Sequence, residues 1–381
     1  MYKDKRYSML FFGIFQLYLI VTRRISSYSE FMKKIIVFVF LIFRLFAKES
    51  VSVVVVGAGP VGLLTALEAY RAGMNVTIIE DRDRYTRSQS LFIFQEALDL
   101  LVDLGVYIPS MRMCEFDSDK NVGLLEINAL EYALLEKVDE LGILKIKGRF
   151  IQVSEQIALV SVNNEITIFP FDILIGADGF HSTVRNVMQV PVIRYESAVV
   201  SSAFIEKKSS LPIVEIPKAQ NYKGLYVKKM VTPLGFHILI QKSLDYKDCE
   251  IDITNPKVIE EIAQAFGWRE EAKLISEGHV VISGLTPVYL QRSILFGDFY
   301  KQFILVGDAA AVSSFIEGMG VNYGFQTAVK AKKFMFRYLI DKKKAYESFN
   351  QEMEALSVEF MEDGAYLIFS QPPINKVVES I

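Results

Sequence analysis

Residues 51–80 constrain the fold more than any other stretch. Val51–Val56 is a β-branched run that reads as a strand buried on both faces. Gly57-Ala58-Gly59-Pro60-Val61-Gly62 follows at once. Leu63–Gly73 then carries apolar residues at helical spacing (Leu63, Leu64, Leu67, Tyr70) and stops at a glycine. Val76–Ile79 is a second short apolar strand, closed by Glu80. The order strand, glycine turn, helix, strand, acid predicts a βαβ unit built around a dinucleotide. Gly57 permits the tight turn, Gly59 lets backbone approach a pyrophosphate, and Gly62 lets the helix pack on the strand. Pro60 stands at the helix start. The first helical amides face the phosphates with the positive end of the dipole, and Glu80 can accept from an adenosine ribose.

Two later segments repeat the theme. Phe171–Arg185 (FDILIGADGFHSTVR) reads as strand, glycine turn and short helix. Phe303–Ala310 (FILVGDAA) is another apolar strand closing on Gly307-Asp308, followed by Glu317–Ala328 (EGMGVNYGFQTA). An aspartate at the end of a buried strand is costly unless something donates to it, and ligand hydroxyls are suitable donors. A helix N-cap is the plainer role for Asp308. Gly320-Val321-Asn322 opens a helix whose first amides are free.

Taken together, GAGPVG with Glu80, GADGFHSTVR and GDAAAVSSFIEGMGVNYGFQTA resemble the three fingerprints of the single-component FAD-dependent aromatic hydroxylases, the para-hydroxybenzoate hydroxylase-like family. Arg82–Gly105 is similar, more loosely, to a stretch of the MICAL flavin monooxygenase domain. The resemblance implies an α/β fold (α+β overall): a discontinuous Rossmann-like FAD-binding domain with an inserted β-rich substrate lobe. It implies FAD as cofactor, NAD(P)H as electron donor, and O2 with a small aromatic or lipophilic substrate as reactants. Gly57, Gly59, Pro60, Gly62 and Glu80 would hold the ADP half. Asp178 and Gly179 match the pair near the pyrophosphate and the nicotinamide route, and Arg185 closes that motif. Gly307 and Asp308 match the ribityl contact. Gly320, Val321 and Asn322 match the loop beside the flavin pyrimidine ring. A reductase of the same fold without oxygen insertion, or a degenerate flavin-binding protein, is the alternative. No side chain stands out as catalytic.

The chain departs from the family at Ala311, where many members carry His, and at Ser314-Phe315-Ile316, where prolines are common. Asn128 stands where a cofactor-binding Arg is frequent. Arg87 or Arg84 could supply that charge; the bland reading of either is a solvated surface arginine.

The resemblance divides the chain into five stretches. A basic, apolar leader or extension (1–50) precedes a first FAD-binding segment (51–190) and the substrate lobe (191–297). A second FAD-binding segment (298–345) and a C-terminal helical segment (346–381) follow. Helices are expected at Glu96–Leu104, Ala129–Leu141, near Val258–Phe266, at Ala328–Ile340 and at Ala345–Glu362. A β-meander is expected within Leu144–Phe171. Tyr226 and His237 fall in the lobe as substrate candidates, each more often a structural group.

Charge is uneven. Residues 1–50 hold nine Lys/Arg against three Asp/Glu, which leaves 51–381 at −9 in a chain of net charge −3. The positive excess flanks apolar runs at Met9–Val21 and Ile35–Phe43, both short of the roughly 20 residues a membrane helix needs. An interfacial anchor, a signal-like leader from Met32 and a loosely packed extension all fit, so membrane-surface contact enters only through residues 1–50. With no basic run in the body, nucleic acid is not indicated as a partner. Two cysteines and three scattered histidines exclude a disulfide scaffold and argue against a metal site. They fit a reducing, cytoplasmic compartment.

Overall fold

The structure is a computed structural model and describes residues 50–87, 89–116, 120–206, 220–232, 235–243, 251–313, 320–368 and 377–379. The leader and the Ser314-Phe315-Ile316 loop lie outside the described residues. No helix among the described residues is long and apolar enough to cross a membrane.

β1 (Ser52–Val56) runs through the glycine turn into α1 (Pro60–Arg71) and β2 (Asn75–Glu80). β3 (Ser90–Ile93), α2 (Gln95–Asp103), β4 (Arg112–Phe116) and β5 (Lys120–Glu126) follow. Next come α3 (Ile127–Glu140), β6 (Leu144–Lys147), β7 (Arg149–Ser154), β8 (Ile157–Val162) and β9 (Glu165–Pro170). β10 (Ile173–Gly176) and the short α4 (Thr183–Val187) lead to β11 (Val192–Glu206). β12 (Gln220–Tyr222), β13 (Leu225–Thr232) and β14 (Gly235–Ser243) precede α5 (Pro256–Ala265), α6 (Arg269–Ser276), β15 (Val281–Ile282) and β16 (Thr286–Ser293). β17 (Gly297–Asp298), β18 (Phe303–Leu305), a single 3-10 turn (Gly307–Ala309) and β19 (Ala311–Val312) come next. α7 (Gly320–Tyr338), α8 (Lys342–Ile368) and β20 (Val377–Glu379) complete the described chain.

The first sheet has the order β17-β18-β10-β1-β2-β6 and is parallel except for the β17–β18 pair. Val53–Val56 and Ile173–Gly176 are buried throughout, as strands covered on both faces must be. From β1 the chain steps outward to β2, yet β10 returns on the other side of β1. The strand order therefore reverses between β1 and β10, and their carboxyl ends open a crevice. The second sheet, β12-β13-β14-β11-β16-β19, is antiparallel, with β15 and β20 also pairing β11. α5 and α6 bury Ile259, Ile262 and Ile275 in a core shared with Ile238 and Ile240 of this sheet. Two three-stranded sheets, β3-β5-β4 and the meander β7-β8-β9, complete the architecture.

α7 begins at Gly320, where the Gly320-Val321-Asn322 motif is expected to open a helix, and continues unbroken into the amphipathic stretch expected from Ala328. Asn322, Tyr323 and Phe325 are already buried, and packing offsets the helix cost of Gly320 and Gly324. Two elements differ from expectation. α6 is an additional helix; its first turn carries Glu270 and Glu271 and its last turn Lys273, a dipole-matched pattern too short to weigh alone. The C-terminal segment, expected to be helical, also contributes β20. An isolated three-residue strand carries no period, so only its pairing with β11 reveals it.

Candidate functional site

The three glycine turns meet. Gly57 has φ 102°, and a Cβ there would stand 2.4 Å from the Ala177 carbonyl oxygen at the end of β10. A Cβ on Gly62 would stand 2.0 Å from the Gly57 oxygen, so this glycine serves the close packing of helix on turn. Gly307 (φ 57°) and Gly324 press on Val61 from the third motif; an added Cβ would come within 3.1 Å and 2.3 Å of it. Buried Arg185 joins the second motif to the third, donating from Nη1 to the Ala309 carbonyl at 3.1 Å and from Nη2 to the Phe180 carbonyl at 2.6 Å.

Around this junction lies a cavity of about 980 Å³. That is at the upper end of the roughly 300–1,000 Å³ typical of ligand sites. Gly57, Gly59, Pro60 and Glu80 line it from the first motif. Asp178 and Gly179 line it from the second, and Gly307, Asp308, Gly320 and Val321 from the third. Arg87 also lines it; Arg84 and Asn128 do not. The cavity continues to the second sheet, where Val200, Ser202, Met230, His237 and Leu239 form its wall.

At one end, the Glu80 carboxylate accepts from the Ala58 amide at 2.7 Å and the Arg82 amide at 2.8 Å. Arg82 Nε and Nη2 add bonds at 3.1 and 3.0 Å. Burial pushes the Glu80 pKa up, but these donors outweigh it and hold the carboxyl below its usual range. Ribose hydroxyls would therefore join, or displace, Arg82 donors already in place.

Asp178 is spent differently. It accepts from Ser182 Oγ at 2.6 Å and from the amides of Thr183 and Val184 at 2.6 and 3.1 Å, ordering the start of α4. Desolvation still raises its pKa on balance. Asp308 contrasts with it. The carboxylate is exposed to the cavity, and no hydrogen-bond partner stands among the described residues. Desolvation by the surrounding protein pushes its pKa up to about 6, against a smaller downward pull from Arg87. The helix-cap role considered for Asp308 is not seen: the 3-10 turn has no side-chain cap.

Asn322 is buried outside the cavity lining. Its Nδ2 donates to the Phe92 carbonyl at 2.7 Å and its Oδ1 accepts from the Phe94 amide at 2.9 Å, clamping α7 to the end of β3. This side chain is taken up by the fold, and only its backbone remains at the helix start. Tyr226 faces Gln241 across β13–β14 and does not line the cavity. His237 does; its ring lies 4.6 Å from that of Phe204, and burial lowers its pKa, which favours the neutral imidazole.

Sequence reasoning missed Arg82 and Glu131. Arg82 Nη1 lies 3.3 Å and Arg87 Nη2 2.5 Å from Oε1 of Glu131, whose side chain is 0% exposed. A signal was available: Glu131 interrupts the apolar stripe Ile127, Leu130, Leu134, Val138 of α3.

The residues fit FAD on two structural grounds. A carboxylate with no partner among the described residues faces the cavity, and the glycine turn leaves backbone where any side chain would collide. No group of His, Cys, Asp and Glu among the described residues could hold a metal ion.

Comparison with known proteins agrees. Residues 50–115 and 159–345 match the family described as FAD binding domain. The [F-actin]-monooxygenase Mical of Drosophila melanogaster is 30% identical over 169 residues, 41% of this chain and 3% of that protein. Human [F-actin]-monooxygenase MICAL2 is 23% identical over 210 residues, 51% of this chain and 10% of that protein. The chain thus spans a tenth or less of these curated relatives. Among solved structures, pqsL, a probable FAD-dependent monooxygenase from Pseudomonas aeruginosa, superposes with a TM-score of 0.64 at 16% identity. That match covers 84% of this chain and 96% of pqsL. OxyS anhydrotetracycline hydroxylase from Streptomyces rimosus gives 0.63 at 17%, covering 84% of this chain and 69% of OxyS. At such identity these two likenesses establish the fold. The family match, the meeting of three glycine motifs and the donor set in the cavity lead to one statement: this chain belongs to the FAD-binding domain family.

Proposed function

We propose that this chain is an FAD-dependent monooxygenase that uses NAD(P)H and O2 to hydroxylate a small aromatic or lipophilic substrate. One observation carries the reading: a single cavity runs from Glu80, past Asp308, to an apolar wall on the second sheet. Bound FAD would supply hydride acceptance from NAD(P)H and electron delivery to O2. The protein's share is placement, charge and exclusion of water.

The amides at the start of α1 and the guanidiniums of Arg82 and Arg87 offer positive charge to a pyrophosphate. Asp308 would accept from ribityl hydroxyls and so fix the register of the cofactor along the groove. The amides at Gly320 and Val321, backed by the dipole of a long α7, would stabilise negative charge at the flavin edge. On the second sheet, Val200, Met230 and Leu239 present apolar surface, and Ser202, Thr286 and neutral His237 offer a few hydrogen bonds. That mixture suits a lipophilic substrate with one hydroxyl or carbonyl. Residues 1–50 would add contact with a membrane surface, by their basic and apolar composition.

The test is NAD(P)H oxidation by the flavin-loaded protein against panels of phenols, quinones and isoprenoids, with O2 uptake followed in parallel. Substrate-stimulated oxidation matched by O2 uptake and a hydroxylated product is expected. Turnover that continues undiminished without O2 would instead identify a reductase.

A further inference from the structure

α3 buries one face through Ile127, Leu130, Glu131, Leu134 and Val138. Glu131 is the charged member. A carboxylate withdrawn from water destabilises a fold unless it is paired. Its Oε1 accepts from Arg82 Nη1 at 3.3 Å and Arg87 Nη2 at 2.5 Å, and its Oε2 has no partner among the described residues. Both arginines line the cavity, with side chains 40% and 44% exposed. One buried oxygen thus holds two like charges side by side. Their mutual repulsion falls when a further anion lies across them.

The position of the pair indicates which anion. Arg82 reaches Glu80 at one end of the groove. Arg87 lines the same cavity as Glu80 and Asp308. In FAD the pyrophosphate joins the ribose and ribityl portions that those two carboxylates would hold, so it is the anion of the cofactor that two guanidiniums in this cavity would meet. We infer that Glu131 is a positioning residue that sets Arg82 and Arg87 as a two-cation seat for that pyrophosphate. The seat supplies the positive charge that Asn128 does not. This rests on the FAD-binding reading.

A rival role makes the opposite prediction. If Glu131 merely damped two cations, removing its charge would strengthen phosphate binding. The experiment titrates FAD, and separately riboflavin, into the deflavinated full chain at low and high salt. Glu131→Gln is expected to weaken FAD about ten- to a hundredfold, the worth of hydrogen bonds to charged groups. Riboflavin, which lacks phosphate, should change by less than about twofold. The loss should shrink at high salt and be non-additive with Arg87→Ala. Arg87→Ala alone should show the same FAD-selective loss, which keeps the test open if Glu131→Gln does not fold. FAD binding by Glu131→Gln that equals or exceeds wild type overturns the inference, as does equal weakening of FAD and riboflavin. A wild-type chain that takes up no FAD overturns the cofactor reading itself.

Discussion

The two walls of the cavity are built by different means. The first-sheet wall brings bare backbone to the cavity at Gly57, Gly59, Gly307 and Gly320, beside strand or helix ends, and sets the charged side chains of Glu80, Arg82 and Asp308 among them. The second-sheet wall is mostly side chain, and its residues come together only through register. Met230 pairs with His237, Ser202 with Leu239, and Val200 with Thr286. A pyrophosphate needs amides at close range, and only glycine leaves room for that approach. A substrate asks only for a pocket of suitable shape and a few polar groups, which ordinary strand residues supply. The cofactor wall is therefore intolerant of change, and the substrate wall is adjustable.

Substitutions can break this contrast, beginning with the most severe. Gly57→Ala puts a Cβ 2.4 Å from the Ala177 oxygen at φ 102°. The backbone conformation alone costs about 1–3 kcal/mol. The variant should purify without visible flavin absorbance; a yellow variant would show that the turn has slack. Asp308→Ala comes next. Loss of a charged acceptor worth about 1.5–3 kcal/mol should weaken FAD roughly ten- to a hundredfold in a fluorescence titration.

The same aspartate sets a pH dependence in the FAD-free protein. Its folded pKa, about 6, lies above its ordinary value, so the folded state holds the proton more tightly than the unfolded chain. Stability from this group is present below about 4 and lost as pH rises towards 6. Asp308→Asn should flatten that range of a melting-temperature profile. Because the carboxylate faces an open cavity, the effect will be small beside the flavin loss.

On the other wall, His237→Gln should leave flavin content unchanged. It should raise KM for the preferred substrate by about fivefold, the worth of one hydrogen bond. Tyr226→Phe, outside the cavity, should shift neither flavin content nor KM, with a stability change within about 0.5 kcal/mol. A strong effect of Tyr226→Phe on KM would move the substrate site along β13 and sharpen the division between the walls.

Much of the first wall was legible in the residues because each device is local. The run from Val51 to Glu80 states its own strand, turn, helix and strand within one short stretch, and the structure repeats them as β1, α1 and β2. The second wall was legible only as two candidates, Tyr226 and His237, with nothing local to choose between them. His237 lines the cavity and Tyr226 does not, and the strand register decides which. Asn322 shows the reverse: its place in a motif suggested the cofactor, whereas packing spends its side chain on β3. Glu131 stood between. Its charge on an apolar stripe signalled a buried pair, but its partners lie across 49 and 44 positions of sequence.

By itself the sequence determined that three turns can only be closed by glycine and that the strands before them must be buried, because steric exclusion and hydrophobicity act within a few residues. Tertiary structure alone decided which charges meet and which face the groove. Asp178 folds back on α4, Asp308 is left open to the cavity, and two arginines converge on Glu131. Those outcomes depend on distances between segments far apart in the chain, and electrostatic pairing follows distance in space.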